Sequence, residues 1–265
     1  MYDYLVNKLA SYGANKDEKY NYLREYLQLL ILKILDEKNF FQQMAFVGGT
    51  ALRILYDLNR FSEDLDFSLT KKENFDFNSM TNTILHQLKK QNFVVDALIK
   101  EYKTVVSSFV KFNNLLPELG LSAHKDQKLS VKIEIDCNPP SGFRTELTMI
   151  NKEFLIGINH YDLSSLFSGK LHAILCRSYT KGRDFYDLLW FIARNTQPNY
   201  ELLNHAIVQT EHQSLDLDRN ILNDLLRERI EKTNFQKVLE DTQPFLIDPN
   251  ERRFFQKDYF LKLIK

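Results

Sequence analysis

Apolar residues recur at helical spacing between residues 18 and 37, where Leu23, Leu27, Leu30, Ile31 and Ile34 fall on one face. The spacing predicts an amphipathic helix that residues 39–41 bring to an end. Met44–Val47 is a short apolar run closed by Gly48-Gly49 and reads as a buried strand. Residues 50–58 read as a helix with Ala51, Leu52, Leu55 and Tyr56 toward its inner face. Strict alternation over 64–69 sets Asp64, Asp66 and Ser68 against Leu65, Phe67 and Leu69, which predicts a second strand. The polar stretch 71–79 reads as a loop and 80–91 as a helix. Residues 93–98, 104–112 and 129–137 read as further strands. In the last, Val131, Ile133 and Ile135 share one face, and Lys132, Glu134 and Asp136 the other.

Asn138-Pro139-Pro140-Ser141-Gly142 is a strong break and the expected end of the main sheet. From Asp162 onward the pattern is helical. Asp162 is the expected N-cap of a helix running to about residue 178. Lys181-Gly182 reads as a turn and 183–194 as a second helix. Several short helices follow from Asn199, ending with 250–264. No repeat or low-complexity tract interrupts the chain. The expected fold class is therefore α/β (α+β), with a mixed sheet and covering helices over 1–160 and a helical region over 161–265.

Composition narrows the function classes. The chain has 265 residues, enough for one large domain or two modest ones. Its 35 Lys+Arg are matched by 35 Asp+Glu, whereas proteins that coat nucleic acid non-specifically are usually basic. An RNA substrate then calls for a local basic patch, for which Lys71-Lys72, Lys181 and Arg252-Arg253 are candidates. Each of these alone reads more simply as solvated surface. Cys137 and Cys176 make no disulfide framework. Residues 1–10 alternate polar and apolar and do not read as a signal peptide. The longest apolar stretch, 29–35, is broken by Lys33 and too short to span a membrane. These features predict a cytoplasmic protein with no membrane partner and no disulfide partner. The six histidines are scattered without metal-ligand spacing, so no zinc site is expected.

Two stretches carry candidate chemistry. In a strand, residues two apart project to the same side, which sets Asp64 and Asp66 together. Neighbouring carboxylates repel unless a cation sits between them, and Mg2+ prefers hard oxygen ligands, keeping positions for water or phosphate. A second ion can bridge to an attacking hydroxyl. Gly48-Gly49 lets the backbone come close to a ligand, and the helix beyond it aims N–H groups at the same spot. Thr50 offers a hydroxyl, and Arg53 lies one turn into that helix. Taken alone, an Asp-x-Asp pair also occurs on solvated strand edges, and a Gly-Gly pair in ordinary turns. The second stretch places Lys170 and Arg177 on one stripe of a helix, followed by Asp184 and Asp187 on one face of the next. That arrangement suits either a structural ion network or a phosphate site.

Gly48-Gly49-Thr50, Arg53 and Ser62-Glu63-Asp64-Leu65-Asp66-Phe67, followed by Lys170 and Arg183-Asp184-Phe185-Tyr186-Asp187-Leu188, resemble the signature of AbiEii/AbiGii-type nucleotidyltransferases. These are toxins of abortive-infection, type IV toxin–antitoxin systems, in the polymerase-beta-like nucleotidyltransferase superfamily. The resemblance covers about residues 44–190. The superfamily usually has Gly-Ser where this chain has Gly48-Gly49, which leaves the hydroxyl role to Thr50 or to no residue. The resemblance implies a polymerase-beta-like fold and one or two Mg2+ ions on Asp64 and Asp66. It implies a nucleotide cradled by Gly48, Gly49, Thr50, Arg53, Ser62 and Arg183. It further implies that Lys170 contacts phosphates and that Asp184 holds Lys170 or assists the nucleophile. A third carboxylate is expected at Asp136, with Glu134 as the alternate.

The implied reaction transfers a nucleoside monophosphate from an NTP to an acceptor hydroxyl, releasing pyrophosphate. By the resemblance the acceptor is the 3′ end of tRNA and the partner a cognate antitoxin. A small-molecule or protein hydroxyl is the alternative acceptor. A catalytically inactive nucleotide-binding module is the alternative outside enzymes.

Overall fold

Residues 2–11, 15–73, 75–212 and 216–264 are described by a computed structural model. Helix α1 (Tyr2–Ser11) precedes α2 (Lys16–Glu37), whose N-cap Asn15 accepts a hydrogen bond from Glu18 N at 3.0 Å. The helix expected over 18–37 is α2, and Leu23, Leu27, Leu30, Ile31 and Ile34 are all buried in it. Strand β1 (Met44–Val47) runs straight into α3 (Gly48–Tyr56). The helix thus begins at the glycine pair, two residues ahead of its expected start. Gly48 turns the chain within a single residue, with φ at +79°.

Strand β2 (Leu65–Leu69) starts just after Asp64. Helix α4 (Phe77–Lys90) begins earlier than its apolar pattern predicts, because Asp76 caps it by accepting from Ser79 N at 3.0 Å. Strands β3 (Val95–Glu101) and β4 (Val105–Phe112), the short α5 (Leu115–Glu118) and β5 (Leu129–Asp136) follow.

The sheet does not end at Pro139-Pro140. Two more strands, β6 (Thr145–Asn151) and β7 (Leu155–Tyr161), join it, giving the order β3-β4-β5-β2-β1-β7-β6. β1 pairs with β2 antiparallel, as do β3 with β4 and β4 with β5. The β2–β5 and β1–β7 pairings are parallel. The result is the mixed sheet expected from the sequence, two strands wider. β6 escaped the pattern because it is an edge: Leu147 and Met149 are exposed while Ile150 is buried.

The chain divides into two compact units, the first formed by Met1–Ala51, Phe61–Asn138 and Leu147–His160, the second by Leu52–Arg60, Pro139–Glu146 and Tyr161–Lys265. In the first unit, α2 and α4 pack on each other, α2 against β5 and α4 against β3 and β4. Val131, Ile133 and Ile135 of β5 are fully buried on that side, while Lys132, Glu134 and Asp136 point to the partly open side.

The second unit contains α6 (Leu163–Cys176), α7 (Gly182–Ala193), α8 (Tyr200–Glu211), α9 (Arg219–Glu231), α10 (Phe235–Thr242) and α11 (Lys257–Leu263). Asp162 caps α6 as expected, accepting from Ser165 N at 2.7 Å. The expected turn residue Gly182 is the first residue of α7. A β-carbon there would overlap the Val238 carbonyl oxygen, so glycine is what lets α7 approach α10. The aromatic residues fill this core: Phe167 stacks on Phe191 at 4.3 Å, and Phe185 meets Phe235 and Phe260 edge-on. Among the described residues no helix is long and apolar enough to cross a membrane.

Candidate active site

The glycine turn and the paired aspartates come together in the first unit. Val47 lies opposite Asp66 in the β1–β2 pairing, which brings the end of β1 onto the acid. The Asp66 carboxylate then covers Gly48: a β-carbon at Gly48 would overlap Asp66 Oδ2 and stand 3.0 Å from Asp66 Cβ and Cγ. Only a residue without a side chain permits this approach.

The backbone leading into β2 is fixed by side chains from two helices. Gln28, buried in α2, donates to the carbonyls of Ser62 at 3.1 Å and Glu63 at 2.8 Å. Arg24 of the same helix pairs with Glu63 at 3.1 Å. Thr50 donates its hydroxyl proton to the Asp64 carbonyl. Thr50 is fully buried, and its hydroxyl proton holds the backbone at Asp64. Gln28 was not anticipated, since a lone glutamine on an apolar helix carries no sequence signal of its partner.

The parallel register of β2 on β5 orders the acids. Leu65 faces Ile133, Asp66 faces Glu134 and Ser68 faces Asp136. Just ahead of that register, Asp64 is close enough for its charge to act on Lys132. Glu134, the alternate third carboxylate, is therefore beside Asp66, and Asp136 stands one pair further along. Burial holds the Asp136 carboxyl above its ordinary value, against the bond it accepts from Asn138 N at 2.8 Å. Lys132 forms an ion pair with Glu134. Burial opposes its charge, but Glu134, Asp64 and Asp66 together outweigh that and raise the ammonium above its ordinary value. Lys132 is a site residue the motifs did not single out, although its alternation with Glu134 and Asp136 was visible.

The donors on this face are carboxylate oxygens, the chemistry that suits Mg2+, and the ammonium among them marks where positive charge is favoured. Among the described residues no group of three His, Cys, Asp or Glu side chains forms a ready-made metal cage. Mg2+ commonly takes one or two carboxylates from a protein and its other ligands from water and phosphate, so Asp64 and Asp66 fit it.

The second constellation lies in the second unit. Lys170 Nζ is 3.0 Å from Asp184 Oδ1 and 2.7 Å from Asp187 Oδ2. Arg177 reaches Asp184 at 2.7 Å. Arg60 binds Asp187 with both Nε and Nη2 at 2.7 Å, a bidentate pair buried on both sides. Burial opposes the charge of Lys170, but Asp187 and Asp184 outweigh it and hold the ammonium above its ordinary value. The Asp184 carboxyl sits below its ordinary value: burial pushes it up, and Lys170 and Arg177 pull it down further. Of the two roles expected for Asp184, holding Lys170 is the one its geometry displays.

Arg60 and Asp187 are separated by 127 residues, and no local pattern joins them. Arg53 donates to the Leu58 carbonyl at 3.1 Å, and Arg183 lies over the Phe245 ring at 4.0 Å.

A family model described as "Nucleotidyl transferase AbiEii toxin, Type IV TA system" matches residues 30–257. Among solved structures, the chain is similar to a protein from H. pylori whose crystal structure carries a provisional nucleotidyltransferase assignment. The identity is 22% with a TM-score of 0.51, over 91% of this chain and 89% of that one. It is also similar to JHP933 from Helicobacter pylori, at 21% identity and a TM-score of 0.52, over 92% of this chain and 91% of the other. No curated protein gives a significant sequence match.

Proposed function

The chain belongs to the AbiEii family of nucleotidyltransferase toxins of type IV toxin–antitoxin systems, and we propose that it transfers a nucleoside monophosphate from an NTP to the 3′ end of tRNA with Mg2+. The observation that carries the chemistry is the Asp66 carboxylate laid over Gly48, with Asp64 and Asp66 both acting on the charge of Lys132. Held by Asp64 and Asp66, Mg2+ would supply the positive charge that positions a triphosphate and offsets charge developing during transfer. The backbone N–H groups of Gly48 and Gly49, at the start of α3, aim donors and a positive helix end at phosphate oxygens. Gln28 and Thr50 keep Asp64 in place through the backbone before it.

In this reading the acceptor hydroxyl attacks the α-phosphorus. The new bond is from phosphorus to the acceptor oxygen, and the bond broken joins the α-phosphorus to the oxygen bridging to the β-phosphate. Pyrophosphate leaves, and the hydroxyl proton goes to a carboxylate. We assign that carboxylate to Glu134 over Asp136, because Glu134 is abreast of Asp66. Lys170 is given a part in transfer on the strength of its motif, and Asp184 and Asp187 keep it protonated. The tRNA acceptor and the antitoxin follow the character of the family, and a cytoplasmic reaction goes with that reading.

The test incubates the full chain with each NTP, α-labelled, together with Mg2+ and total tRNA. The expected result is label at the tRNA 3′ end that disappears with chelator, with Asp66→Asn and with Lys170→Met. Label on a protein or small molecule would keep nucleotidyl transfer and discard tRNA. Transfer undiminished in Asp66→Asn would overturn the reading.

A further inference from the structure

Asp66 and Glu134 are opposite each other in the β2–β5 register, and Lys132 lies on the same face of β5. Lys132 ion-pairs with Glu134 and feels the charges of both Asp64 and Asp66. Its side chain is 28% exposed, so it is neither a buried strut nor a freely solvated surface lysine. The Phe109 ring lies 5.9 Å from its ammonium on the neighbouring strand β4.

We infer that Lys132 is a resident counter-cation of the acid face. It neutralises Glu134 in the free protein and yields that carboxylate only when a divalent ion arrives with a triphosphate. The inference rests on the metal site proposed above. The physical reasoning is a competition between cations. Three carboxylates gathered on one face repel each other, and the first positive charge to reach them gains most. A tethered ammonium is always present at high effective concentration, so it takes that position before a dilute ion does.

A bare divalent ion must then bind beside a positive charge, which weakens it. A metal–triphosphate complex meets a different balance. Its phosphate oxygens offer the ammonium a new partner, so Lys132 exchanges Glu134 for phosphate and loses no ion pair. The consequence is coupled uptake: metal binds poorly alone and well with nucleotide, and Glu134 is released to accept a proton only when substrate is present.

The experiment is isothermal titration of the full chain with MnCl2, alone and in the presence of a non-hydrolysable NTP. Lys132→Met is predicted to bind bare Mn2+ about tenfold more tightly than the unmodified chain, the effect of one unit charge on a divalent ion across roughly 6 Å of water-like medium. Lys132→Arg keeps the charge and is predicted to match the unmodified chain. Asp66→Asn locates the ion and is predicted to abolish binding in every background. Circular dichroism confirms folding of each variant, and Lys132→Gln replaces the methionine variant should that one not fold. Unchanged or weaker Mn2+ binding by Lys132→Met, with Asp66→Asn still abolishing it, overturns the counter-cation and leaves the metal site standing. Mn2+ binding that survives Asp66→Asn overturns both.

Discussion

Substituting Gly48 by alanine separates the architecture of the acid face from general backbone strain. Gly48 has φ +79°, a region that costs an L-residue about 1–2 kcal/mol. The added β-carbon would also overlap Asp66 Oδ2 and press on Asp66 Cβ at 3.0 Å. Rotating the carboxylate relieves the first contact but not the second, because Asp66 Cβ is fixed by the β2 backbone. Crowding of this kind costs about 1–3 kcal/mol, so Gly48→Ala should lose about 3 kcal/mol in all.

Gly120 provides the control. Its φ is +69°, and nothing lies within 4 Å of where its β-carbon would be. Gly120→Ala therefore measures the backbone cost alone, and the excess loss in Gly48→Ala measures the contact with Asp66. Urea denaturation of the two variants gives that difference. Titration with Mn2+ and a non-hydrolysable NTP should show affinity reduced at least tenfold in Gly48→Ala and unchanged in Gly120→Ala. Equal stability losses, or undiminished nucleotide affinity in Gly48→Ala, would refute the close approach of Asp66 to the turn.

Three further outcomes are expected. Arg60→Met leaves the fully buried Asp187 with Lys170 as its remaining cation partner and should cost about 3–5 kcal/mol in urea denaturation, a loss below 1 kcal/mol contradicting the buried bidentate pair. Gln28→Leu removes the donor shared by the Ser62 and Glu63 carbonyls and should cost about 1–3 kcal/mol, with weaker nucleotide binding in the same titration; full affinity would show that the backbone ahead of β2 holds without it. Asp184 is below its ordinary value when folded, so its contribution is complete above the unfolded carboxyl value of about 4 and fades as pH falls through the lower folded value. Asp184→Asn should therefore be less stable at pH 7 and show a shallower stability loss than the unmodified chain between about pH 5 and pH 2, and parallel curves would rule out the depressed carboxyl.

What the sequence made legible was local. The period-two alternation over β2 and β5, the leucine stripe of α2 and the Asp162 cap are each set by neighbouring residues, and all recur in the structure. β6 was hidden because its pattern belongs to a sheet edge, where Leu147 and Met149 stay exposed, and β7 because burial along most of its length, at Ile156, Ile158 and Tyr161, leaves no polar-apolar alternation. The parallel contact of β1 with β7 joins Phe46 to His160, beyond the reach of any window of sequence. The same divide runs through the site. Asp64, Asp66 and Gly48 announced themselves by spacing, whereas the partners of Thr50, Gln28 and Arg60 follow from the three-dimensional path of the chain. A hydroxyl beside a glycine turn reads as a phosphate ligand until the backbone carbonyl that takes its proton is known.

Charge is distributed unevenly through the Lys170 cluster. A purely structural network tends toward neutrality, since each uncompensated buried charge is costly. Here Arg60, Lys170 and Arg177 share Asp184 and Asp187, so the cluster carries excess positive charge. The excess is not spread evenly. The Arg60–Asp187 end is sealed from solvent and internally matched, which makes it the structural part. The Lys170–Arg177 end is partly open, with Arg177 at 31% exposure.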